Sequence, residues 1–238
     1  MIDVVIPTYN NNDSLKKVLA GFSKQTFKDF KIHVVNDGGE DNVMDVIQDF
    51  DLDIHHYYLS PPSTEFRAAS ARNQGIFECK NERIICFDSD MIPSFDVVEK
   101  HFSYGKDEKI VVGLRKRIFP HGIVEDDRIR KGGQRSIDFL SMKQEGKKIH
   151  HLCHSCNISY PTHAAHAIGG FWEKMVGWGR EDAEFAMRLC RYGCTTFLDD
   201  SIIGYHIEHD PVERDLSFVE DLYQKSMKMN GYLRSDFD

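Results

Sequence analysis

Arg83-Ile84-Ile85-Cys86-Phe87-Asp88-Ser89-Asp90 is the stretch on which the reading of this chain turns. The β-branched and aromatic run predicts a buried strand over Arg83 to Phe87. Two carboxylates, spaced i and i+2, follow at the strand's carboxyl end. If the chain turns there, both face one cleft and suit a hard divalent cation of the kind that neutralises a diphosphate. Asp-x-Asp alone is a weak signal, because acidic pairs are common on solvated turns. The flanking sequence decides its weight.

Upstream, strand and helix patterns alternate. Ile2 to Pro7 reads as a strand. Asp13 to Phe22 reads as a helix with Asn12 or Asp13 as N-cap and an apolar face of Leu15, Val18, Leu19 and Phe22. Phe30 to Val35 is a second strand, closed by the turn Asn36-Asp37-Gly38-Gly39. A helix over Val43 to Phe50, a strand over Ile54 to Leu59 and a helix over Ala68 to Glu78 complete the approach to Arg83. This alternation predicts an α/β fold with a mostly parallel, Rossmann-like central sheet flanked by helices. Ligands of such sheets sit at the carboxyl ends of the strands, where Asp37 and Asp88 fall.

Downstream, a helix over Phe95 to Tyr104 and a strand over Ile110 to Leu114 continue the pattern. Arg115 to Lys148 is charged, glycine-bearing and weakly periodic. It is expected to be an excursion, either covering the site or forming a solvated loop. Regular structure resumes with a strand from Asn157 to Tyr160 and helices over Thr162 to Ile168 and Glu181 to Tyr192. A strand over Ile202 to Ile207 and an amphipathic helix over Leu216 to Met229 close the chain.

The 238 residues suffice for one sizeable core, so a single domain over 1–238 is expected. Residues 1–114 would form a nucleotide-binding half and 115–238 an acceptor and catalytic half. A net charge of −8 argues against nucleic acid as a partner and against polybasic docking on anionic membranes. The Met1 start runs straight into a strand, with no secretory signal and no transmembrane run. The expectation is a cytoplasmic protein. The last helix would pack on its own core, dock peripherally at a membrane or pair two copies in a homodimer. Six cysteines are then expected as thiols. Cys153-His154-Ser155-Cys156, with His150 and His151 beside it and Cys190 and Cys194 downstream, leaves a zinc or redox site as the alternative.

Val4-Val5-Ile6-Pro7-Thr8-Tyr9-Asn10, Asn36-Asp37-Gly38-Gly39, Ala71-Arg72-Asn73-Gln74-Gly75 and Asp88-Ser89-Asp90 together resemble the successive signatures of family 2 glycosyltransferases with the GT-A fold. Gly169-Gly170-Phe171, Gly177-Trp178-Gly179-Arg180-Glu181-Asp182 and Tyr205-His206-Ile207-Glu208-His209 resemble another pattern. It is the carboxyl half shared by β-1,4-galactosyltransferases, chondroitin-polymerising enzymes and polypeptide N-acetylgalactosaminyltransferases. Each motif is modest, but seven in order from Ile2 to about His209 are specific.

The resemblance implies a metal-dependent transferase moving a hexose or N-acetylhexosamine from a UDP-sugar, with inversion, to a glycan, a lipid-linked oligosaccharide or a peptide. It implies that Pro7, Thr8, Tyr9 and Asn10 border the uridine and that Asp37 accepts the uracil N3–H. Asn36 departs from the family's usual first Asp. Arg72, and Arg67 near it, are candidates for planar contacts to phosphate or ribose. Asp88 would serve mainly the ribose, Ser89 would let the backbone approach the nucleotide, and Asp90, with Asp88, would hold Mn²⁺ or Mg²⁺. His206 is favoured as a metal ligand by the chondroitin-polymerase pattern. The galactosyltransferase pattern favours His209, with position 206 also a ligand.

Asp182 is the expected general base, since displacement at an anomeric carbon needs a group to take the acceptor's proton. It opens a helix, whose dipole favours an ionised carboxylate. Glu181 would share in catalysis or bind donor hydroxyls, and Trp178 would offer a flat wall for a sugar. A dinucleotide oxidoreductase would call for Gly-x-Gly-x-x-Gly after the first strand, where this chain has Pro7-Thr8-Tyr9-Asn10. A binding protein without turnover would be favoured by losing an acid at 88, 90 or 182, and all three are present.

Overall fold

The computed structural model describes residues 1–63, 65–119, 122–125, 153–209 and 216–231. Most of the expected excursion, with His150 and His151, lies outside them.

The amino-terminal half alternates as its periodicity requires. β1 (Ile2–Thr8), α1 (Asn12–Phe22), β2 (Phe30–Asn36), α2 (Met44–Ile47), β3 (Ile54–Tyr58), α3 (Ala68–Ile76) and β4 (Arg83–Phe87) follow in order. β5 (Met91–Pro93), α4 (Val97–Phe102), β6 (Lys109–Phe119) and β7 (Gly122–Glu125) continue to the first large gap. Beyond it come β8 (Asn157–Pro161), α5 (Thr162–Ala167), α6 (Glu181–Tyr192), β9 (Thr195–Ile207) and α7 (Ser217–Met229).

The strands form one sheet in the order β3-β2-β1-β4-β8-β6-β9-β5, with β7 paired to β6. Parallel pairing holds over β3-β2-β1-β4 and again between β6 and β9. β8 enters antiparallel between β4 and β6, and β5 and β7 pair antiparallel at the far side. The continuous parallel run expected from the alternation lies in the first half, and the second half combines the parallel β6–β9 pair with antiparallel ones. The apolar faces of β1, β2 and α1 bury Ile2, Val4, Ile6, Leu15, Leu19, Phe22, Ile32 and Val34 on one side of the sheet. Val5, Ile84, Cys86, Tyr160, Phe171 and Phe185 pack on the other. Gly75 lets α3 approach β1, since a Cβ there would lie 2.7 Å from Val5 Cγ1.

Several boundaries differ from expectation. α1 starts at Asn12, with Asn11 at its N-cap and no side-chain cap. α2 is a single turn of four residues rather than a helix from Val43 to Phe50. The strand expected to stop at Leu114 runs on to Phe119 and folds back as β7, so the start of the expected excursion is a hairpin. β9 begins at Thr195, seven residues before the apolar run. A register shift beside Gly113 and Leu114 absorbs the polar Asp200-Ser201.

Two buried polar groups hold the middle of the sheet. Arg83, 1% exposed, donates to the carbonyls of Gly105, Asp107 and Lys109 and to Ser159 Oγ. Burial lowers its pKa to about 10, against the opposing pull of Asp107. His101 meets Ser159 Oγ at 2.9 Å and Asn157 Oδ1 at 3.1 Å, and burial drops its pKa to about 4, so it is neutral in the core.

α7 lays Val219, Tyr223 and Met227 against Met175, Ala183 and Met187. Ser226 Oγ donates to the buried Glu184, which also takes a two-pronged ion pair from Arg188. The apolar face of the last helix is thus covered by the chain itself. Among the described residues, no helix is long and apolar enough to cross a membrane. All six cysteines are buried thiols. Cys153, Cys190 and Cys194 share one core while Cys156 lies in the other, and among the described residues no metal-type cluster includes the C-x-x-C pair.

Candidate active site

The carboxyl ends of β1, β2 and β4 meet at one edge of the sheet. β1 and β4 run parallel with Val4 opposite Ile85, and β2 lies on β1's other side with Thr8 opposite Asn36. β4 stops at Phe87 and the chain turns through Asp88-Ser89-Asp90, closed by the Met91 N–H donating to the Asp88 carbonyl at 3.1 Å. β5 then pairs with β9, setting Met91 opposite His206, and the Ile207 N–H donates to the Asp90 carbonyl at 2.9 Å. Backbone bonds therefore clamp the acidic turn against the histidine segment.

That clamp brings three ligand-type atoms together. His206 Nε2 is 3.4 Å and His209 Nε2 3.9 Å from Asp90 Oδ2. Their ligand atoms lie within 4.8 Å of one another. Asp90 Oδ1 is buried without a hydrogen-bond partner, and a buried carboxylate oxygen left so is costly unless something positive meets it. The mixed carboxylate and imidazole donors and the orphaned oxygen fit a divalent cation. Burial works against a charged His206, but its bond to Asp90 outweighs that and raises its pKa. Both histidines reach Asp90, so the choice between them is one of shared approach rather than exclusion. Asp88 points elsewhere, to Arg72.

Arg72, on α3, is the hub of the site. Its Nη2 donates to Asp88 Oδ1 at 3.1 Å and its Nη1 to Glu181 Oε1 at 3.2 Å, with Asp182 Oδ1 at 3.5 Å. The guanidinium is 5% exposed and sits over the Phe171 ring at 5.5 Å. From sequence it was expected to grip phosphate or ribose; its contacts here are instead with three carboxylates. Burial raises the pKa of Asp88, Arg72 opposes this, and Asp90 and Asp182 add to it. Burial and Asp182 push Glu181 up to about 7 against the pull of Arg72.

Asp182 opens α6 after a turn in which Gly177, Gly179 and Arg180 all have positive φ. Glycine at the first two positions avoids the steric cost of that backbone. Ser155 Oγ donates to Asp182 Oδ1 at 2.5 Å, and His154 Nδ1 stands 3.9 Å from Oδ2. Sequence reasoning read Ser155 and His154 as parts of a thiol motif and missed both contacts. No local pattern joins them to position 182. Trp178 is exposed on the same turn, whose Gly177 N–H donates to the Phe66 carbonyl.

At the β1 and β2 end, Asp37 is buried and its two oxygens accept from the Arg67 Nε and backbone N–H, each at 3.0 Å. Arg67 also donates to the carbonyls of Asp37 and Pro61. In these contacts it anchors Asp37. Burial raises the Asp37 pKa, and Arg67 opposes the rise. Asn36, departing from the family's acid, closes its own turn by accepting from the Gly39 N–H and donating to the Asp41 carbonyl. Asn10, at φ 44°, accepts from the Glu40 and Asp41 N–H groups, so its oxygen faces the turn. Pro7 is half-buried, Tyr9 is exposed beside it, and Thr8 Oγ1 is buried without a partner. Asn73 pins α3 to Phe171, donating to its carbonyl and accepting from its N–H. A Cβ on Gly170 would lie against that Asn73 oxygen.

Comparison with known proteins accounts for the arrangement. Residues 136–210 match the model described as the N-terminal domain of galactosyltransferase. Validoxylamine A glucosyltransferase from Streptomyces hygroscopicus subsp. limoneus is 25% identical over 236 residues, covering 88% of this chain and 52% of that one. Chondroitin synthase from Pasteurella multocida strain Pm70 is 24% identical over 87% of this chain and 25% of its own. The chain thus spans about half the length, or less, of these relatives. Among solved structures, S. aureus TarS 1-349 in complex with UDP-GlcNAc aligns with a TM-score of 0.74 at 15% identity, over 96% of this chain and 65% of that one. GalNAc-T7 with UDP, GalNAc and Mn²⁺ aligns at 0.75 and 12% identity, over 96% and 48%. Both are GT-A glycosyltransferases, and the fold is GT-A. The glycosyl transferase family 2 model matches residues 3–160, more than half of the 238, and the chain belongs to that family.

Proposed function

We propose that this chain transfers a hexose or N-acetylhexosamine from a UDP-sugar to a glycan, lipid-linked oligosaccharide or peptide hydroxyl, with inversion at the anomeric carbon. The observation that carries the reading is the convergence on one strand edge of Asp90 with His206 and His209, and of Asp182 with Arg72. The relatives support it: TarS is described with UDP-GlcNAc and GalNAc-T7 with UDP and Mn²⁺.

Asp37 receives the uracil N3–H through lone pairs that Arg67 leaves open. Thr8 and Tyr9 border the base, and Ser89 is buried between the two acids of the turn. Asp90, His206 and His209 would hold a divalent cation, which would supply charge neutralisation for a diphosphate leaving group. Asp182 takes the acceptor hydroxyl's proton as that oxygen bonds to the anomeric carbon and the bond to the UDP oxygen breaks. Arg72 and Ser155 hold Asp182 in place for that step. In this reading Glu181 binds donor hydroxyls, and Trp178 supplies a wall for a sugar face.

The test is UDP release from a panel of UDP-sugars, with Mn²⁺ or with EDTA. The expected result is Mn²⁺-dependent release from one donor, lost in Asp90→Ala and in Asp182→Asn. Release that is indifferent to both substitutions would contradict the assignment.

A further inference from the structure

Glu208 lies between the two histidines in sequence but makes a contact of another kind. Its Oε1 lies 3.1 Å from His206 Nδ1, on the side of the ring opposite the Nε2 that faces Asp90. The same oxygen lies 3.2 Å from Arg117 Nε, a charge pair without hydrogen-bond geometry. Arg117 and His206 are register partners on the parallel strands β6 and β9, so the contact is built into the sheet. The Glu208 N–H donates to the Ile118 carbonyl at 3.1 Å, fixing its backbone to β6 as well. Glu208 is mostly buried, at 20% side-chain exposure.

A neutral imidazole carries one N–H and one lone pair, and its partner at one nitrogen decides which is which. A carboxylate accepts only, so at Nδ1 it selects the Nδ1–H tautomer. The lone pair is then on Nε2, the nitrogen a shared cation would meet; without that cation the Asp90 carboxylate competes for a proton at Nε2. Glu208 also blocks a ring flip that would present Nδ1 instead. Resting on the metal reading above, we infer that Glu208 is a positioning residue for His206. Arg117 sets Glu208, Glu208 sets the tautomer and orientation of the imidazole, and His206 thereby offers Nε2 to a divalent cation shared with Asp90. Outer carboxylates of this kind change metal affinity by about 10–100-fold in other sites.

The experiment needs no sugar donor. Mn²⁺ binding to the full chain is followed by the loss of the free-ion EPR signal, for wild type, Asp90→Ala, Glu208→Gln and Glu208→Ala. The His206 tautomer is read in parallel from ¹⁵N–¹H imidazole correlations in metal-free protein, with each Glu208 variant placed in the Asp90→Ala background so that no Asp90 carboxylate competes at Nε2, at a pH where the ring is neutral. The expected result is about 10–100-fold weaker Mn²⁺ binding in Glu208→Ala. A smaller loss is expected in Glu208→Gln, whose amide oxygen still accepts from Nδ1–H. The tautomer should be mixed in Glu208→Ala and fixed in Glu208→Gln. If Asp90→Ala loses Mn²⁺ while both Glu208 variants bind like wild type with the tautomer unchanged, the positioning role is overturned and the metal site stands. If wild type binds no better than Asp90→Ala, the metal reading falls and the inference with it. Glu208→Gln, nearly isosteric, keeps the test readable if Glu208→Ala does not fold.

Discussion

Arg72 on α3 and Glu181 on α6 are 109 positions apart in sequence, and Nη1 to Oε1 measures 3.2 Å between them. The pair is buried on both sides, at 6% and 7% side-chain exposure. It couples the strand edge that carries Asp88 to the helix that carries Asp182, so one cation fixes the distance between the two groups of acids. Removing it leaves three carboxylates, Glu181 buried and Asp88 and Asp182 partly so, with their shared cation gone. Arg72→Met is expected to cost about 3–5 kcal/mol, the penalty for breaking a buried pair on one side. Part of that should return on adding Glu181→Gln. Urea unfolding of the four members of the cycle checks it; a loss below about 1 kcal/mol would contradict the hub role.

Glu181 has a pKa pushed up to about 7 from an ordinary 4.5, by burial first and Asp182 second. A carboxyl that holds its proton more tightly folded than unfolded stabilises the native state fully below its unfolded pKa. That contribution is lost as pH rises through the folded value. In Glu181→Gln the dependence disappears. The stability of the variant relative to wild type should therefore rise between about pH 4.5 and 7 and level off above. Denaturant unfolding across that range measures it, and a flat difference would contradict it.

Ser155 Oγ lies 2.5 Å from Asp182 Oδ1, a short bond to a charged acceptor. Asp182→Asn should reduce kcat by about 10²–10⁴-fold, as loss of a general base does. Ser155→Ala, which removes only the group that orients it, should lose about tenfold or somewhat more. Single-turnover rates with both variants, checked for unchanged thermal unfolding, would separate the two. Equal losses would place Ser155 in another role.

Asp37 presents buried acceptor oxygens held by Arg67. Uracil has an N3–H to give and cytosine has none, so Asp37→Asn should weaken UDP by about tenfold and narrow the preference for UDP over CDP. Competition binding with the two nucleotides tests this. An unchanged preference would mean the base is read elsewhere.

Much of this site was legible because its residues sit where local pattern is strong. β4 and α6 begin and end where the apolar run and the helical period place them, at Arg83–Phe87 and Glu181–Tyr192. What was not legible has physical causes. Met91-Ile92-Pro93 is too short and proline-bearing to read as a strand, yet pairing with β9 makes it one. Asp199-Asp200-Ser201 interrupts β9's apolar run, and the irregular register with β6 accommodates it. Arg72 was picked out for its charge, but its carboxylate contacts were not legible, because they come from 16, 109 and 110 residues away in the chain. Ser155 was hidden among cysteines that are buried in two separate cores.

The central claim is a uridine nucleotide held at the strand edge through a cation on Asp90. Calorimetric titration of UDP into the full chain, with Mn²⁺ and then with EDTA, tests it most directly, with Asp90→Ala as the companion. The account predicts binding with Mn²⁺ and at least about tenfold weaker binding when the ion or the Asp90 carboxylate is removed. UDP that fails to bind with or without Mn²⁺, or binds equally well in all three cases, would contradict it.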